Sequence, residues 1–336
     1  MKYKVKVTVA PSDKERLQRQ LPGKLGIWKN FQFFINEPIE EADFWVVCFQ
    51  KLSGKTETCR VAPENTMFIT WEPDSVYHFS RGFLNQFGKV VSCQEHLKHR
   101  NLVKDQPGLA WQMGMWRHPD GRAVITQDYD TFSKSNPKKN KLISVIASNK
   151  AFTKGHRERL EFVKKIKEHF GNQLDLYGWG FNDFANKWDA IADYKYHIVL
   201  ENCSIPYYWS EKLADAFLGN SFPFYYGCTN VEKYFSQDAY RMIDLHDSDM
   251  AIKIIDQAID ENLAEKSLAA VEYAKQQVLN DYNFFELVVR NLETMDVSAQ
   301  KISYTIKDDL SFVDFKKFIL YGGRILSNFK YKLLEK

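Results

Sequence analysis

ENCSIPYYWSEKLADAF, residues Glu201 to Phe217, follows the apolar run YHIVL (196–200) and carries two acid-bearing dipeptides, Glu201-Asn202 and Glu211-Lys212. YHIVL reads as a buried strand, and a helix is expected from about Ser210 to Leu218 with Ser210 as its N-cap. An aromatic, irregular loop between them lies beyond the carboxyl end of a strand, where open α/β sheets bind ligands. The helix N-terminus offers unpaired N–H groups and a partial positive charge, both suited to phosphate. Lys212 in the first turn opposes that dipole, which favours a nearby anion. Glu211 can accept hydrogen bonds from two sugar hydroxyls, and Asn202 and Tyr208 can reach in from the strand end and the loop. Together they make a nucleotide-sugar cradle; the plainer alternative is a capped helix with a solvated Glu and Lys.

Outward from this block the chain alternates strands and helices. LISVIAS (142–148) reads as a buried strand, and KGHRERLEFVKKIKEHF (154–170) as a helix with Leu160, Val163, Ile166 and Phe170 on one face and Gly171 as its stop. Further strands are expected at Leu174–Tyr177, His197–Leu200, Phe222–Tyr226 and Arg241–Asp244. In the first half Tyr3–Val9, Phe44–Phe49, Met67–Thr70 and Lys89–Cys93 are separated by segments long enough for parallel crossovers. The polar, basic stretch SKSNPKKNK (133–141) is the best linker. At 336 residues the chain is too long for one ordinary core. Two Rossmann-like domains in tandem are expected: 1–135, 136–300, and a tail from 301 to 336.

Composition excludes several classes. A net charge of +3 gives no case for general polyanion binding. No apolar run approaches the roughly 20 residues of a membrane span. Five scattered cysteines without C-x-x-C spacing suit a reducing compartment.

The block Tyr194–Phe235 resembles the signature of the glycosyltransferase family 10 fucosyltransferases. That signature runs Y-K-F, four residues, E-N-S, a seven-residue loop ending in Thr, then E-K, a helix, and a strand with P-x-x-x-G. Here Tyr194-Lys195-Tyr196, both dipeptides, Pro223 and Gly227 fall at that spacing; Cys203 replaces the Ser and Ser210 the Thr. SVIASNKAFTKGHRERLEFV (144–163), LDLYGWG (174–180) and MFITWEPDSVY (67–77) are similar to other family blocks in the same order.

The resemblance implies an inverting enzyme of the GT-B type, with its active site in the cleft between two Rossmann-like domains. GDP-fucose is the implied donor, held by the second domain, and a glycan approaches from the first. Glu72 matches the family's catalytic base, with Asp74 as rival. Arg157 and Lys212 would clamp the diphosphate, Arg159 ranking below Arg157. Glu211 would bind ribose, Tyr208 and Asn202 complete the pocket, and Ser148 and Asn149 reach phosphate or sugar. With cations and a helix dipole to carry the charge, no divalent metal is expected. Rival readings are a different nucleotide-linked deoxysugar and a non-catalytic nucleotide-sugar-binding protein.

Four other features carry expectations. CQEHLKHR (93–100) places Cys93, His96 and His99 at intervals of three on a helix, a spacing zinc could use or a solvated helix could carry. Asp247 in HDSDM (246–250) reads as a helix cap rather than half of a metal-binding D-x-D. Trp111 and Trp116 are either core or acceptor-stacking residues. The basic, amphipathic segment 312–336 either lies on an anionic membrane or packs across the domains. With the first reading, the expected setting is a bacterial cytoplasmic enzyme, peripheral at the inner membrane, acting on a surface polysaccharide or lipopolysaccharide.

Overall fold

Two parallel sheets carry the architecture in a computed structural model, which describes residues 2–48, 56–117, 123–149 and 154–312. In chain order the first-half strands are β1 (Tyr3–Thr8), β2 (Ile27–Trp28), β3 (Phe31–Ile35), β4 (Phe44–Cys48), β5 (Glu57–Val61), β6 (Thr66–Ile69), β7 (Lys89–Ser92) and β8 (Leu102–Lys104). An antiparallel pair follows, β9 (Met115–Arg117) and β10 (Ala123–Ile125). The second half holds β11 (Lys141–Ile146), β12 (Leu174–Tyr177), β13 (Tyr194–Leu200), β14 (Phe222–Tyr226), β15 (Arg241–Met242) and, returning late, β16 (Ile302–Ile306).

The first sheet runs β2-β3-β1-β4-β6-β7-β8, parallel apart from β2; the second runs β12-β11-β13-β14-β15, parallel throughout. Every residue of FWVVC, TMFI and KVVS is buried, as strands covered on both faces must be. The strand order of the second sheet reverses between β11 and β13. That topological switch point opens a crevice beyond their carboxyl ends, where Ala147-Ser148 and Glu201-Asn202 follow. The fold is therefore α/β, with two Rossmann-like domains in the GT-B manner.

The helix Lys154–Phe170 forms where its period predicts, with Val163, Ile166 and Phe170 buried; Gly171, at φ 52°, ends it. Asp247 caps the helix Ser248–Asp260, accepting from Met250 N at 3.0 Å. Residues 93–100 form no helix, contrary to the spacing. They are a loop after β7, in which the ring of His99 meets the carbonyls of Asn101 and Phe87, each at 3.1 Å.

The domain boundaries also differ from those expected at 135 and 300. Ala110 packs in the first core, whereas Trp111, Met113 and Phe132 already pack in the second. The chain returns between Leu279, in the second core, and Phe284, which with Phe285, Leu287 and Val288 fills the first. A polar stretch signals a solvated loop but not which core its flanks join. SKSNPKKNK itself is docked: Lys139 Nζ donates to the carbonyls of Ala192 (2.6 Å) and Gly219 (2.5 Å). Trp111 is a core residue, 1% exposed. The segment expected as a tail, 301–336, begins with β16, which pairs antiparallel with β5, and from 313 onward it lies outside the described residues.

The crossing segment is gripped from both sides. Arg19, fully buried at the end of the short helix Lys14–Gln18, donates to the carbonyls of Met113 (2.7 Å), Gln127 (3.0 Å) and Trp111. Asp215, buried in the second domain, accepts from Gln112 N (3.0 Å) and Met113 N (2.9 Å) and pairs with Lys187 Nζ (2.9 Å). Burial lowers the Arg19 pKa to about 10, still far above neutrality. Truncation of Arg19 to Ala would orphan buried carbonyls. It is expected to destabilise the protein by about 2–4 kcal/mol, read as a lower urea midpoint, with Arg19→Lys recovering only part of the loss.

Candidate active site

The opening stretch folds as a closed loop between β13 and the helix Glu211–Leu218. Ser210 is its N-cap, accepting from Lys212 N at 3.2 Å. Glu201, fully buried, closes the loop: Oε1 accepts from Ser210 N (2.7 Å), and Oε2 from Ser210 Oγ (2.7 Å) and Lys212 Nζ (3.3 Å). Lys212 also reaches Glu211 at 3.4 Å. Burial alone would lower the Lys212 pKa, but Glu211 and Glu201 outweigh it and hold the ammonium charged. Burial likewise disfavours the Glu211 carboxylate, yet Lys212 and Lys187 carry its pKa below the ordinary range.

Glu72 enters from the first domain. β6 ends at Ile69, and Trp71 takes φ 54°, an uncommon conformation for a bulky residue. The tight turn that follows, Glu72 N to Thr70 O at 2.6 Å, sets Glu72 at the sheet's carboxyl edge. Gln94 pins this loop by donating to the carbonyls of Glu72 (2.9 Å) and Tyr77 (2.7 Å). Burial raises the Glu72 pKa, the negative charges of Glu211 and Glu201 raise it further, and Lys212 offsets part. Those second-domain charges act on Glu72 because the cleft brings the two loops together. Ser75, also in the first domain, hydrogen-bonds the Cys203 thiol, and burial with Glu201 pushes that thiol to about 12. The Cys at this position therefore stays protonated.

Two cavities occupy the cleft. One, of about 450 Å³, lies over the second sheet and is lined by Ser148, Arg159, Trp179, Asp183 and Lys187, with Arg16 contributed by the first domain. The other, of about 520 Å³, is lined by Trp71, Glu72, Tyr208 and Glu211. Gln112, Asn202 and Lys212 line both, so the cavities meet at the start of the helix Glu211–Leu218.

Most of the expected residues converge here, with two differences. Arg157 is exposed on its helix and does not line either cavity; Arg159, ranked below it, does, donating Nη1 to Asn202 Oδ1 at 2.8 Å. Two residues shift position by about 200° around a helix, which is why period alone could not choose between them. Asn149 is exposed at the rim, its N–H on the Trp179 carbonyl (3.0 Å). Lys187, Arg16 and the closing role of Glu201 were not anticipated. The E-N and E-K spacing held the signal for Glu201, whereas Arg16 and Lys187 join the site only through tertiary folding. Among the described residues no group of three or more His, Cys, Asp or Glu side chains is placed to hold a metal ion.

The family description "Glycosyltransferase family 10 (fucosyltransferase) C-term" matches residues 136–265, the segment that forms the second sheet and its cavity. Residues 136–265 are thus similar to the C-terminal domain of glycosyltransferase family 10. A curated relative, the alpha-(1,3)-fucosyltransferase of Helicobacter pylori, is 25% identical over 215 residues, 63% of this chain. That match spans only 37% of the relative's length. Among solved structures, an alpha1,3-fucosyltransferase with GDP is 15% identical and aligns over 84% of this chain and 92% of its own, with a TM-score of 0.49. A glycosyltransferase from Rickettsia africae is 10% identical over 87% and 97% of the two chains, with a TM-score of 0.46.

The Glu201 closure depends on Gly227, where an added Cβ would lie 2.4 Å from Glu201 Cγ and from Tyr225 OH. Glu201→Ala leaves Lys212 without its buried counter-charge and is expected to cost about 3–5 kcal/mol. Gly227→Ala, which forces the same carboxylate aside, should cost about 1–3 kcal/mol. Urea denaturation of both variants checks the order.

Proposed function

We propose that this protein is an inverting fucosyltransferase that moves L-fucose from GDP-fucose to a hydroxyl of an acceptor glycan. The observation that supports it most is the meeting of the two cavities at Lys212, with Glu72 on the far side. A single displacement needs this layout: the acceptor oxygen and the leaving diphosphate lie on opposite sides of the anomeric carbon. Glu72 takes the acceptor's hydroxyl proton as that oxygen bonds to the anomeric carbon. The bond from that carbon to the β-phosphate oxygen breaks, and its electrons stay on GDP.

A carboxylate with a raised pKa is the stronger base, so the partly buried setting of Glu72 suits the role. The growing negative charge on the leaving group falls beside Lys212, Arg159 and the N-terminus of the helix Glu211–Leu218. Glu211 takes the ribose hydroxyls, Tyr208 and Asn202 line the donor's path, and Ser148 closes its floor. Arg157 stands one helical step outside as a secondary contact. Cations and helix dipole together meet the diphosphate charge, so no divalent metal is required in this reading. The acceptor is a bacterial surface polysaccharide or lipopolysaccharide. Among the described residues no helix is long and apolar enough to cross a membrane; contact with an anionic membrane is assigned to 312–336.

Glu72→Gln is expected to lower kcat about 10²- to 10⁴-fold while leaving GDP affinity near wild type. Because the base works deprotonated and its pKa is raised, wild-type activity should fall as pH drops through a value above the ordinary 4.5 of a Glu. An acid limb unchanged in a residually active Glu72→Gln enzyme would remove Glu72 from the role. Lys212→Ala should weaken GDP binding about 10- to 100-fold by calorimetry; unchanged affinity would mean the diphosphate lies elsewhere. A screen of GDP, UDP, CMP and dTDP sugars decides the donor, and transfer from another deoxysugar would keep the mechanism but change the substrate.

A further inference from the structure

The second-domain cavity extends well past the cations that would meet a diphosphate. Its far end lies beyond β12, two strands from β13 and so about 10 Å from the loop that carries Asn202. Here Trp179 is 72% exposed, an unusual setting for the largest apolar side chain. The loop that carries it is not loose. Gly178 and Gly180 adopt φ 117° and 83°, and a Cβ at Gly178 would lie 1.9 Å from the Ala147 carbonyl oxygen. The Trp179 carbonyl accepts from Asn149 N at 3.0 Å, Gly178 N donates to Asn182 O at 2.9 Å, and Phe181 N donates to Gly178 O at 2.9 Å. A rigid loop therefore holds an indole at the cavity rim. Four residues on, Asp183 lines the same cavity, its carboxylate oriented by Phe184 N on Oδ1 at 2.9 Å.

We propose that Trp179 and Asp183 form the nucleobase subsite, the indole stacking on the base and the carboxylate selecting guanine. The inference rests on the donor reading above and adds its base specificity. A planar base stacks on any exposed aromatic face, so Trp179 supplies affinity without choice. Asp183 supplies the choice. An ionised carboxylate is an acceptor with two oxygens side by side. On its pairing edge guanine presents two adjacent donors, N1–H and the 2-amino group. Adenine and uracil each place an acceptor at one of the corresponding positions and cytosine at both, against which a carboxylate oxygen is repelled. Hypoxanthine keeps N1–H and lacks the 2-amino group, so it isolates one of the two bonds.

The test is calorimetric titration of the full chain with GDP, IDP, ADP and UDP. Wild type should bind GDP about 10- to 100-fold tighter than ADP or UDP, with IDP between them. Asp183→Asn should lose most of the GDP preference over IDP and ADP. It should bind ADP and UDP no worse than wild type, since removing a negative charge from the cavity does not weaken the binding of an anion. Retained ADP and UDP binding also shows that the variant is folded. Trp179→Ala should weaken all four nucleotides and leave their ranking unchanged. If Asp183→Asn keeps the wild-type GDP-to-IDP ratio, the carboxylate does not read the base and the inference alone fails. If wild type prefers a nucleotide other than GDP, the donor reading fails, and this inference with it.

Discussion

A single carboxylate organises the cleft. Glu201 is fully buried, and a buried carboxylate is tolerated only when its charge and lone pairs are met. They are met by Ser210 N, Ser210 Oγ and Lys212 Nζ, so the chain from 202 to 209 must return to where it left the sheet. That closure starts the helix at Glu211, places Lys212 at its first turn, and leaves Asn202 and Tyr208 facing the cleft. It also explains why a cation is stable at a helix N-terminus, where the dipole opposes it. The opposing partial charge is about half a unit, and Lys212 faces two full carboxylates.

A second constraint sets the two halves against each other. The crossing segment 111–113 gives its carbonyls to Arg19 of the first domain and its N–H groups to Asp215 of the second. Opposite charges thus hold opposite sides of one strip of backbone, and each end of the grip is buried. Gln112, within that strip, lines both cavities. The relative placement of Glu72 and Lys212 is therefore fixed by the same residues that join the domains. Lys187 ties the two constraints together, pairing with Asp215 and acting electrostatically on Glu211.

Local patterns made much of this visible in the sequence. The buried runs of β4, β6, β7, β11, β13 and β14 stand out because strands covered on both faces are continuously apolar. The N-caps Ser210 and Asp247 stand out because capping chemistry is local. The spacing of Glu201 and Glu211 marked the loop that closes beside the two cavities. What stayed hidden depends on tertiary placement. Nothing local in PGLAWQM tells that Ala110 belongs to one core and Trp111 to the other, or that FFELVVRNL returns to the first sheet. β5 was missed because it pairs with β16, more than two hundred residues away. Arg159 and Arg157 share one helix, and only the packing of that helix decides which faces Asn202.

The charge distribution follows from the same geometry. Arg16, Arg159, Lys187 and Lys212 line the cavity over the second sheet, yet the first three already have acidic or amide partners: Asp13, Asn202 and Asp215. Lys212 has Glu201 and Glu211. Cations held this way do not need an anion in order to be buried, so the site is stable before ligand arrives. They are also fixed in place, and donors that need no reorganisation are the ones that stabilise developing charge most effectively. Glu72 completes the balance from across the cleft. The carboxylates that hold Lys212 in position also raise the Glu72 pKa. The positioning of Lys212 and the raised pKa of Glu72 are thus two consequences of one arrangement, rather than separate features that had to be tuned apart.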